Sequence, residues 1–183
     1  MRILNTPLAD IKVVQLVPHR DARGTFVRQF CAQELQSLLG GRAITQINQS
    51  KTYAAGTVRG LHFQRPPHAE MKMVRCTRGR VWDVAVDLRC GSPTFLRWHA
   101  EELAEDDNQM LVIPEGFAHG FQALAADSEL QYLVTTPYHP PAEGGLRHDD
   151  PRLAIPWPLP PRNVSPRDQI HPLLDAEFSG VAV

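Results

Sequence analysis

The 183-residue sequence predicts an all-β domain, a sandwich or barrel with one short helix. Three observations lead there. Apolar and β-branched runs of strand length recur along the chain, each broken by turn residues. The 16 prolines and 12 glycines interrupt the sequence too often for long helices. Only one segment repeats its apolar residues at helical spacing.

Residues 11–17 and 24–30 read as the first strands. The helix follows at 32–39, where Leu35, Leu38 and Leu39 share one face and Gly40-Gly41 ends it. Further strands read at 43–50, 57–63, 71–77, 81–88, 110–113, 119–124 and 130–135. The segment 81–88 is the most informative. Trp82, Val84, Val86 and Leu88 fall on one face, while Asp83, Ala85 and Asp87 fall on the other. The acidic face either meets water or lines a polar cavity, and the pattern alone leaves both open for Asp83. From Pro137 the chain turns Pro-rich, which suits a disordered tail. Its embedded Tyr138, Ile155 and Trp157 favour an extended flap. The expected organisation is a single domain, 1–183, with 137–183 as an extended segment packed on the barrel.

Composition narrows the function. Lys plus Arg number 19 against 20 for Asp plus Glu, a formal net charge of -1. Such balance argues against nucleic acid or an anionic membrane as partner, though not against a local phosphate site. No apolar run reaches membrane-spanning length and no signal-peptide pattern opens the chain, so the expected location is cytoplasmic. Cys31, Cys76 and Cys90 form no CxxC pair and read as reduced, structural thiols.

Four clusters carry residues capable of chemistry. They are Arg59-Gly-Leu-His62, Lys72 between two methionines, a turn at 113–121 delivering His119, and Tyr132 and Tyr138 followed distantly by Ser165-Pro-Arg-Asp168. Each has a plain structural reading: a satisfied histidine, a lysine snorkelling from an edge strand, core or rim tyrosines, an aspartate capping a turn. Together they make a kit. Proton abstraction beside a carbonyl needs a base near neutrality, a cation for the enolate oxygen and an acid to return the proton. His62, Lys72 and Tyr132 supply those types, and Arg59, Arg23 and His119 suit phosphates.

In order along the chain, Asp21-Ala-Arg-Gly24, Gln46-Ile-Asn-Gln-Ser50, Arg59-Gly-Leu-His62-Phe-Gln64 and Pro66-Pro-His-Ala69 leading to Lys72 resemble the dTDP-4-dehydrorhamnose 3,5-epimerase family. The likeness continues through Asp83–Arg89, Ser92–Phe95, 113–121, Tyr132 with Tyr138, Asp150-Pro, Trp157-Pro and Ser165-Pro-Arg-Asp168, from about Asp21 to about Leu174.

The resemblance implies a cupin-type jelly roll, or double-stranded β-helix. It also implies a nucleotide-sugar substrate, a homodimer, and no metal or organic cofactor. It makes His62 the general base, Asp168 its orienting partner, Lys72 the enolate cation and Tyr132 the opposing proton donor. Arg59, His119, Gln46, Asn48, Tyr138, Glu143 and Arg167 match substrate-contacting positions. Arg23, Phe26 and Arg28 fall where the family meets the nucleotide, Arg23 and Phe26 from the partner subunit.

Four residues depart from the family's pattern. Arg28 and Glu70 replace an acidic residue and a Gln, and His148 and Arg167 replace a Trp and a Lys. Two other readings compete. One is a metal-dependent cupin using His62, Glu70 and His119, although Gln64 stands where a paired second histidine belongs. The other is a non-catalytic sugar-binding barrel.

Overall fold

A computed structural model describes all residues, 1–183. Its strands, in chain order, are β1 (Arg2–Asn5), β2 (Lys12–Gln15), β3 (Pro18–Asp21), β4 (Gly24–Val27), β5 (Gln46–Thr52), β6 (Val58–Gln64) and β7 (Lys72–Arg78). They continue as β8 (Arg80–Asp87), β9 (Trp98–Ala104), β10 (Gln109–Ile113), β11 (Phe117–Ala123), β12 (Ser128–Val134) and β13 (Glu143–Gly145). Two sheets face each other as a jelly roll. One runs β1-β2-β10-β7-β12-β5 and the other β13-β6-β11-β8-β9, while β3 and β4 form a separate hairpin.

Strand period sorts side chains into three apolar clusters. Val13, Val74, Leu111, Ile113 and Leu130 of the six-stranded sheet meet Val81, Ala85, Leu103, Phe117 and Phe121 of the other inside the roll. On the outer face of the five-stranded sheet, Leu61, Phe63, Val84, Val86 and Leu88 pack beneath Leu146, Leu153, Ile155 and Val181 of the C-terminal segment. The outer face of the six-stranded sheet, with Val14, Met73, Met110 and Leu133, is covered by Leu35 and Leu39.

The helix differs from its sequence reading. Residues 32–35 form turns, and α1 spans only Gln36–Leu39, closed by Gly40 in the left-handed region at φ 56°. A second helix, α2 (Pro166–Gln169), was not expected. Ser165 caps it: the Asp168 N–H donates to Ser165 Oγ at 3.1 Å, and Pro166 starts the first turn. The aspartate does not cap a turn, which frees its carboxylate. Of the cysteines only Cys76 lies in the core, where burial pushes its thiol up to about 11. Cys90 is exposed, so a structural role does not extend to all three.

Candidate active site

The inward faces that hold the core also build the site. Lys72 shares its face of β7 with Val74 and Cys76, and Tyr132 shares its face of β12 with Leu130. His119 lies between Phe117 and Phe121 on β11. At one end of the roll, then, the interior changes from apolar to polar and opens as a cavity of about 620 Å³. His62, Lys72, Arg59, His119, Tyr132, Arg167 and Asp168 line it, with Ser50, Thr52 and Asn163.

His62 comes from β6, which runs beside β11 with His119 opposite it in register. Gly60 makes that approach possible: its φ is 116°, and a Cβ there would stand 2.6 Å from the Gly120 Cα. His62 Nε2 lies 2.7 Å from Asp168 Oδ1, and the Gly60 N–H donates to Asp168 Oδ2 at 3.3 Å. Burial opposes the charge on Asp168, but the hydrogen bond and charge of His62, with the Gly60 N–H, outweigh it and hold the carboxyl below its usual range. An ionised carboxylate only accepts, so Nε2 carries the proton and Nδ1 is left as the basic atom.

Lys72 does not snorkel from an edge, because β7 lies between β10 and β12. Its ammonium donates to the His62 carbonyl at 3.4 Å and pairs with Glu70 at 3.2 Å. Tyr132 Oη lies 3.1 Å from Ser50 Oγ, and its ring meets that of His119 edge-on at 6.0 Å. Burial pushes the phenol well above its ordinary value, so it stays protonated as an acid. His119 Nε2 is held by both oxygens of Asp83, at 2.9 and 3.0 Å, and Asp83 has no exposure to solvent. Of the two readings of the acidic face of β8, the cavity side is the one realised.

A second cavity of about 400 Å³ shares Ser50, His62, Lys72 and Tyr132 with the first. It adds Gln46, Asn48, Tyr138, Glu143 and Glu70. Here Gln46 donates to Asn48 at 2.9 Å, the Tyr138 hydroxyl to Glu143 at 2.5 Å, and Arg167 pairs with Glu143. Arg23 and Phe26 do not reach either cavity of their own chain. They line a separate hollow on the β3–β4 hairpin, where Phe26 is 69% exposed. Arg28 pairs with Glu34 at 2.6 Å, away from the cavities.

The metal ligand set proposed for a cupin does not assemble. Glu70 is engaged by Lys72, and the one gathering of three ligating groups is His62, Asp168 and His171. His171 was missed in the sequence, as was Ser50 as a partner of Tyr132. Neither stands in a pattern that marks it, although Ser50 closes the Gln46–Ser50 motif.

A sequence-family model of dTDP-4-dehydrorhamnose 3,5-epimerase matches residues 5–176. The chain belongs to that family. The dTDP-4-dehydrorhamnose 3,5-epimerase of Salmonella typhimurium is 39% identical over 179 residues, covering 96% of each chain. That of Sinorhizobium fredii is 43% identical over 151 residues, 82% of this chain and 77% of its own. The dTDP-6-deoxy-D-glucose-3,5-epimerase of Legionella pneumophila, solved in complex with dTDP-4-keto-L-rhamnose, superposes with a TM-score of 0.91. It is 37% identical, covering 100% of this chain and 98% of its own. The epimerase family thus accounts for the whole jelly roll, hairpin and C-terminal segment included. No helix is long and apolar enough to cross a membrane.

Proposed function

We propose that this enzyme inverts C3 and C5 of dTDP-4-dehydro-6-deoxy-D-glucose, giving dTDP-4-dehydro-L-rhamnose, as a homodimer in the cytoplasm. The observation that carries the reading is the convergence of a carboxylate-oriented histidine, a partly buried lysine and a protonated tyrosine on one cavity. His62 Nδ1 takes the proton from the carbon beside the C4 ketone, and the imidazolium formed is stabilised by Asp168 at 2.7 Å. The electron pair moves onto the C4 oxygen, which Lys72 meets as a cation. Tyr132 then returns a proton to the same carbon from the opposite face, which inverts it. A positioned base and acid each contribute roughly 10²–10⁴-fold. Neither retains nor gains a proton over the cycle once solvent restores both.

Arg59 and His119, both lining the cavity, hold the diphosphate. Arg59 is positioned by Thr52 Oγ1 at 3.1 Å and the Lys51 carbonyl at 3.2 Å, and His119 by Asp83. The β3–β4 hairpin projects Arg23 and Phe26 away from their own cavity, as suits an arm that completes the nucleotide site of a second subunit. Gln46, Asn48, Tyr138, Glu143 and Arg167 close the sugar end.

The test is incubation of the enzyme with the 4-keto-6-deoxyhexose nucleotide in D₂O, followed by NMR. Deuterium at C3 and C5 with inversion at both is expected. Absence of exchange at both carbons refutes the reading, and exchange at one alone reduces it to a mono-epimerase.

A further inference from the structure

We propose that His62, Asp168 and His171 form a binding site for a borderline divalent transition-metal ion, Zn²⁺ foremost. The three offer two imidazole nitrogens and a carboxylate oxygen, all within 4.8 Å of one another. Two histidines and a carboxylate suit Zn²⁺, whereas Mg²⁺ and Ca²⁺ take oxygen ligands.

His171 supplies an independent observation. Its Nε2 is buried and has no hydrogen-bond partner, a state that buried polar groups rarely keep. The residue lies just past α2, three positions after Asp168, and its ring stands 6.4 Å from that of His62 at 70°. The ring rests on bare backbone at Gly145, the β13 residue paired with His62, where any side chain would collide with it. Asp168 is fixed in place by the Gly60 N–H on its carboxylate and by its own N–H on Ser165 Oγ.

In a tetrahedral site with bonds of about 2.1 Å, ligand atoms stand about 3.4 Å apart. The 2.7 Å pair must therefore widen by about 0.7 Å and the longest separation, at most 4.8 Å, close by up to about 1.4 Å, a side-chain adjustment. On binding, the ion replaces the proton shared by His62 and Asp168, and that proton leaves to solvent. With a divalent charge on its ring, His62 no longer takes a proton from substrate. This inhibition rests on the proposed role of His62, whereas the site itself does not.

The experiment titrates the full chain with Zn²⁺ by calorimetry and with Co²⁺ by visible absorption, alongside the D₂O exchange rate. One ion per chain is expected, with the absorption of four-coordinate Co²⁺. His171→Ala should weaken binding on the order of tenfold or more, since loss of a direct ligand exceeds loss of a group supporting one. His171→Cys, which restores a ligand, should recover most of that affinity. Exchange should fall in proportion to metal loading and return with chelator. Zn²⁺ affinity unchanged in His171→Ala, or no Co²⁺ absorption, overturns the site. A fully loaded protein that still exchanges at the wild-type rate instead overturns the role given to His62.

Discussion

Replacing Asp168 with Asn tests the proposed dyad at its least replaceable atom. The carboxylate does two things for His62: it holds the proton on Nε2, and it stabilises the imidazolium that forms as substrate loses its proton. The 2.7 Å contact is charge-assisted, and such a bond stabilises by about 1.5–3 kcal/mol, or roughly 10- to 150-fold in rate. Asp168→Asn should cost more than that bond alone. The new amide can donate to Nε2, which moves the ring proton to Nδ1, the atom that must be free. A buried aspartate-to-asparagine change beside a catalytic histidine elsewhere costs about 10⁴-fold, so a loss of about 10³–10⁴ in kcat is expected here, with KM little changed. Asp168→Ala, which cannot donate, should lose less, near the upper end of 10- to 150-fold. The assay is single-turnover deuterium incorporation by NMR, with thermal unfolding to confirm that both variants fold. An Asn variant that exchanges within tenfold of wild type, or an Ala variant slower than Asn, would refute the tautomer argument.

Tyr132→Phe removes the acid but leaves the base, so inversion should fall more than proton washout as the enolate is reprotonated from its original face; equal losses would place Tyr132 in the abstraction step. Asp87 makes a prediction about acid stability. Burial raises its pKa, but Arg89, Ser92 and Thr94 outweigh that and hold the carboxyl at about 2, against 3.8. A depressed folded value means the stabilisation is complete above pH 4 and lost as pH falls towards 2, about 2 kcal/mol in all. Asp87→Asn should therefore flatten the decline of the urea midpoint over that window, and an unchanged slope would count against it. Arg28 is engaged by Glu34, so Arg28→Glu should leave the ranking of dTDP, CDP and GDP in competition binding unaltered; a shift towards dTDP would show that Arg28 reads the base.

Much of the sheet was legible because a strand with one buried face writes its period into the sequence. The runs at 57–63, 71–77, 81–88 and 130–135 lie within about two residues of β6, β7, β8 and β12. β9 was not legible: Trp-His-Ala-Glu-Glu-Leu-Ala is rich in helix formers, and its pairing with β8 along seven residues overrides that preference. β1, β3 and β13 are only three or four residues long, too short to carry an alternation that can be read. Helical spacing at 32–39 signalled packing of Leu35 and Leu39 correctly but overstated the helix, since one turn suffices to cover the sheet. The residue types of the site were visible from the motifs. Their convergence was not, because His62 and Asp168 stand 106 residues apart and meet only through α2. His171 stood in no motif at all.

Asp83 shows how much further the sequence can be pressed. Its alternation with Val84 and Val86 implied one dry face and left the other to water or to a cavity. In the structure β8 lies between β11 and β9, with the roll's interior on one side and the C-terminal segment on the other, so neither face is wet. Asp83 and Asp87 both have no exposure. A carboxylate removed from water in this way must be paired, since removing one partner of a buried pair costs about 3–5 kcal/mol. Asp87 meets that demand locally, with Arg89, Ser92 and Thr94, all within seven residues. Arg89, the nearest basic residue on the face of Asp83, is taken by Asp87 and Asp10, and the partner of Asp83, His119, comes from the adjacent strand 36 residues on. The buried acid whose local cation is already engaged is therefore the one that points across the sheet to the site, which makes Asp83 a support for His119 rather than a solvated edge.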